Sequence, residues 1–92
     1  MDKLKKLELM DKILRELDDL KNSQTSVLKK LAQIEADNIN LGVGLLEQKL
    51  PDLHAEVDSG VTIVTDLHQE FQEHRDKFYT ENNLAAVQDP TA

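Results

Sequence analysis

The sequence predicts an all-α fold: a two-helix antiparallel hairpin with heptad, coiled-coil-like packing that self-associates into a helical bundle. Three observations predict it. Apolar residues recur at alternating three- and four-residue steps along the first half, through Met10, Ile13, Leu17, Leu20, Val27, Leu31, Ile34 and Leu41, with the polar Gln24 and Asn38 keeping the same rhythm. Such spacing lays side chains on one stripe of an α-helix, and that stripe needs another helix to cover it. A second series of the same period follows, and glycines punctuate the chain between the two.

The first helix is expected over about residues 2–41. Asp2 is placed to cap it, lysine and glutamate favour it, and neither glycine nor proline interrupts it. Asn22-Ser23-Gln24-Thr25-Ser26 is its weakest stretch, but the heptad phase holds on both sides, so it reads as helix. Leu7, Leu14 and Leu28 broaden the stripe on one flank.

Gly42 is suited to a left-handed helix end, and Pro51 to the first turn of a new helix. Residues 42–50 are therefore expected to form a turn and a short helical segment. The second helix is expected over about 51–80, with Leu53, Val57, Val64, Leu67, Phe71 and Phe78 on its seam beside Gly60 and His74. Val61-Thr62-Ile63-Val64-Thr65 is rich in β-branched residues, yet it lies inside a continuing helical period. Residues 1–80 form one helical domain in this reading, and residues 81–92 a flexible tail.

Folding about the segment 42–51 would set Ile34 near Gly60, Leu31 near Val64, Gln24 near Phe71 and Leu20 near His74. A parallel oligomer of the first helix is the competing arrangement. It would bury Gln24 and Asn38, which specify register at some loss of stability. If Asn38 faced its symmetry mate, Asn38→Leu would raise stability. Because one hairpin partner does not cover the widened stripe, the expectation is a homo-oligomer.

Composition narrows the function. The 92 residues carry a net charge of −7, few aromatics and no cysteine. Residues 1–30 hold eight basic and six acidic side chains, whereas residues 31–92 hold three basic and twelve acidic ones. That acidic half opposes nucleic-acid binding by repelling phosphate. No apolar run approaches the length of a membrane span, and the acids among Lys3, Lys5, Lys6, Lys12 and Arg15 weaken attraction to anionic lipid. Neither nucleic acid nor a membrane is expected as a partner. The segment Met1–Lys6 lacks the apolar core of a signal peptide, so the expected location is cytoplasmic.

Chemistry finds little footing. Asp66, Glu70 and His74 share a helical face, but no two histidines are four residues apart. His74 lies on the seam, where burial would make it a packed, neutral ring whose protonation loosens the bundle. Gly42-Val43-Gly44 lacks the strand and the lysine–serine pair of a phosphate loop. No catalytic residue, cofactor or metal is expected.

His54, Asp58 and Val61 resemble the first three positions of a His-x-x-x-Asp/Glu-x-x-apolar-x-x-x-His pattern. That pattern occurs in small secreted helical-hairpin substrates with a Trp-x-Gly turn. Thr65 occupies the last position here, Asn40-Leu41-Gly42 stands at the turn, and Asn83 replaces the acid of the export signal. The resemblance implies a secreted hairpin. The residues themselves point to a non-enzymatic helical oligomerisation and protein-interaction module serving as a structural, assembly or adaptor component. A small acidic inhibitor that captures a partner protein, or that mimics DNA, is the alternative.

Overall fold

The structure, a computed structural model, describes residues 2–85. Two long helices fill it, α1 (Lys3–Leu41) and α2 (Gly44–Glu81), and among the described residues there is no strand. Asp11 meets Arg75 near one end and Glu35 meets His54 near the other, so the helices run antiparallel. The described hairpin measures 65 × 19 × 18 Å, with a radius of gyration of 20.2 Å. A compact domain of this length would have a radius near 12 Å. The protein is a rod two helices thick.

Local chemistry explains each end of α1. The Asp2 carboxylate accepts a hydrogen bond from the Lys5 backbone N–H at 2.8 Å, satisfying one of the free amides of the first turn. Gly42 closes the helix in the left-handed region (φ 70°, ψ 34°), and its N–H donates to the Asn38 carbonyl at 2.7 Å. A side chain there would strain the backbone, which is why glycine occupies it. The polar stretch Asn22–Ser26 is helical, and its hydroxyls turn back onto the helix: Thr25 donates to the Lys21 carbonyl and Ser26 to that of Asn22. Thr62 and Thr65 do the same on α2, so the β-branched cluster lies within the helix.

The connection corrects the expected layout. Residues 42–50 are not a separate turn and short helix; α2 begins at Gly44 and runs without a break through Pro51. Pro51 leaves the Glu47 carbonyl without its helical donor. Both residues lie on the exposed side, where water can take that bond, while the adjacent Leu50 is buried and anchors the segment. A turn of only two residues moves the register. Gly60 lies against Gln24, whereas the sequence placed it against Ile34; the displacement is ten residues, or about 15 Å at 1.5 Å per residue.

Asn38 holds this short turn. Its side-chain carbonyl accepts the Val43 N–H at 3.0 Å, and its amide donates to the Val43 carbonyl at 3.2 Å. Val43 has no side-chain cap of its own, so this one buried amide joins the end of α1 to the start of α2. Both hydrogen-bonding groups of Asn38 thus have partners within the chain. That observation gives it a role different from pairing with a symmetry mate.

At the open end, the Asn82 side chain donates to the Phe78 carbonyl, and Asn83 adopts a left-handed conformation with φ 52°. The chain then turns Leu84 inward to 3% exposure, so the expected free tail does not begin at residue 81. Residues 86–92 of that tail lie outside the described residues.

Candidate interaction surface

The hairpin core is thin. Six apolar side chains are buried among the described residues: Leu7, Leu14, Leu31, Leu50, Val64 and Leu84. Half-buried Leu4, Met10, Leu17, Leu28, Val57, Val61, Phe71 and Phe78 extend it.

Burial on α1 follows the three- and four-step rhythm, but the helix is rotated relative to the expected seam. Of the expected seam residues, Leu31 and Asn38 are buried, and Met10, Leu17 and Gln24 are half-buried. The flanking column of Leu7, Leu14 and Leu28 turns inward instead of merely widening the stripe, and Leu7 is wholly buried. Ile13, Leu20, Val27, Ile34 and Leu41 turn outward. On α2, Val57, Val64, Phe71 and Phe78 face the partner helix to differing degrees, while Leu53 and Leu67 are exposed.

Consequently the hairpin has two unlike long faces. One is polar. There the Arg75 guanidinium donates to both Asp11 carboxylate oxygens, Nε at 2.7 Å and Nη2 at 3.4 Å, and lies 5.0 Å from the centre of the Tyr79 ring. The Asp11 hydrogen bond raises the Arg75 pKa above its ordinary value and offsets the partial burial that opposes the charge. Farther along, His54 Nδ1 lies 3.0 Å from Glu35 Oε1, which places the proton on Nδ1 when the carboxylate is ionised.

The opposite face is aliphatic. Ile13, Leu20, Val27, Ile34 and Leu41 stand seven residues apart along α1, and Leu53 and Leu67 flank Gly60 on α2. Leu20 is 47% exposed and Leu41 68%. Helical geometry puts these two rows side by side, because the columns carrying Glu35 and His54 occupy the other side of the hairpin axis. Between the rows, Gly60 lets α2 close onto Gln24: a Cβ at residue 60 would lie 3.2 Å from the Gln24 amide nitrogen. The Gln24 carbonyl oxygen is buried without a hydrogen-bond partner.

His74 does not occupy the buried position that the seam implied. Its ring is exposed and stacks on Phe71, with centroids 6.1 Å apart. Asp66, Glu70 and His74 do not converge, and no group of three or more potential metal-ligating side chains gathers among the described residues. No helix of the described residues is long and apolar enough to cross a membrane. Sequence reasoning included every aliphatic residue of the bare α1 row, but took it for part of the covered seam. It did not pair Asp11 with Arg75 or Glu35 with His54, because those contacts depend on a register that the sequence does not display.

No protein-family model, curated protein or solved structure matches the chain.

Proposed function

We propose that this protein is a non-enzymatic helical interaction module that works by association through its aliphatic face. One observation carries the reading: a row of five β-branched and leucine side chains at seven-residue spacing lies outside the hairpin core. Scattered exposed leucines are ordinary on protein surfaces, whereas a contiguous apolar stripe along two helices has the geometry of a docking surface. The polar face, with its internal ion pairs and histidines, supplies the solvated back of the module. A structural or assembly role suits a rod whose information lies in one long face.

Sedimentation equilibrium and thermal melting over a hundredfold concentration range test the reading. The expected result is a mass above that of one chain and a melting temperature that rises with concentration. Leu20→Glu with Leu67→Glu should remove both effects while preserving helicity at low concentration. A wild-type chain that stays monomeric and melts independently of concentration overturns it.

A further inference from the structure

The association proposed above leaves open what covers the aliphatic face. We infer that it is a second copy of this chain, stacked face to face about a two-fold axis parallel to the helices, so that α1 of each copy lies against α2 of the other. The inference rests on the interaction-module reading and adds the occupant and the arrangement.

Size supports a copy of the hairpin as occupant. From Ile13 to Leu41 the row runs about 42 Å at 1.5 Å per residue. The two helices present a width of 18–19 Å. The outline of the whole face, charged rims included, is about 750 Å², on the scale of the ~800 Å² per partner of a standard stable interface. The surface is also continuous with the intrachain interface, since half-buried Met10 and Leu17 stand between the core and the bare row beside it. A second hairpin matches both the length and the two-row width.

Charge selects the arrangement. The α1 rim of the aliphatic face carries Glu16, Lys30 and Asp37, and the α2 rim carries Lys49, Glu56, Glu70 and Lys77. Asp11–Arg75 and Gln24–Gly60 fix which residues lie level on the two helices. With the axis parallel to the helices, Lys30 comes level with Glu56 of the second copy, and Asp37 with Lys49 of the second copy. Each attraction occurs twice by symmetry. Glu16 comes level with Glu70 of the second copy, but Lys12 already lies 3.9 Å from Glu16 on its own helix. Turning the axis crosswise at the level of Ser23 and Ile63 would instead stack Lys49 on Lys77 and Glu56 on Glu70, like charge on like, against a single attractive combination of Glu16 with Lys30. Complementarity thus favours the lengthwise axis.

Cysteine pairs in the full chain read the arrangement directly, because the protein has no cysteine of its own. Asp37→Cys with Lys49→Cys should give a covalent dimer under mild oxidation, and Lys49→Cys with Lys77→Cys should not. Lys30→Glu should weaken dimerisation about tenfold by sedimentation, with Glu56→Lys added to it restoring the affinity. A dimer cross-linked through 49 and 77, a larger assembly, or no rescue by the second charge reversal overturns the arrangement and leaves the interaction module standing. A wild-type chain that remains a monomer overturns both.

Discussion

Along the polar face of the hairpin, Asp11 grips Arg75 with two oxygens and Glu35 holds His54. Directly across the rod, Leu20 and Leu41 stand about half and two-thirds exposed. The two faces are built from the same pair of helices and differ only by rotation about their axes. On the polar side, charges that span the helices find partners within the chain and mark the register. On the aliphatic side, the hairpin leaves hydrophobic surface in contact with water, at a cost of about 25 cal/mol for each Å² that association would remove. The contrast separates what makes the hairpin from what the hairpin offers to others.

The sharpest test of that separation compares two leucines. Leu31 is buried at 4% exposure, and Leu31→Ala should cost about 3 kcal/mol of hairpin stability in urea unfolding at any protein concentration. Leu20→Ala should cost no more than about 0.5 kcal/mol in dilute solution, with the difference growing as the concentration rises. Equal losses at both sites in dilute solution would break the distinction between core and docking face.

The next effect concerns the turn. Asn38→Leu should destabilise the hairpin by about 2 kcal/mol, because it leaves the Val43 N–H without its acceptor and removes the buried link across the turn, although the Val43 carbonyl keeps the Leu46 and Glu47 amides. Faster hydrogen exchange at the Val43 amide should accompany the loss. A gain in stability would restore the view of Asn38 as a residue that contacts its symmetry mate.

Gln24 offers a gain of about 1 kcal/mol. Its buried carbonyl oxygen lacks a donor, so Gln24→Met should raise the unfolding midpoint by removing a desolvated polar group from between the faces. An unchanged or lowered midpoint would show that this oxygen is solvated or paired in solution.

The smallest effect belongs to the polar face. Arg75→Met should cost about 0.5 kcal/mol, a loss that shrinks in salt, since the Asp11 pair is part-exposed. A loss several times larger would make this pair a principal determinant of register.

Much of the hairpin can be read in the residues alone. Asp2 opens the first helix and Gly42 ends it, and the side-chain oxygen and the missing Cβ that do so act within a few residues of the backbone they serve. Period and composition are likewise local, so they reveal two long helices and an apolar stripe. Pro51 misleads for the same reason: its preference for a first turn is local, and the burial of Leu50 beside it overrides that preference. Leu84 gives no signal because it lies outside both heptad series, and its burial follows from where the open end of the hairpin brings it.

The stripe on α1 is three columns wide, and its spacing alone does not say which columns a partner helix will cover. The Asn38–Val43 clamp and the two-residue turn set the rotation of one helix against the other, turning Leu7 and Leu14 in and Ile13 and Leu20 out. The sequence by itself thus determined the helices, their lengths and how much apolar surface they carry, since each depends on neighbours along the chain. Which half of that surface becomes core and which remains available was decided only in three dimensions. Hydrogen bonds across the turn fix a rotation that no local preference encodes, and it brings together charges 64 residues apart.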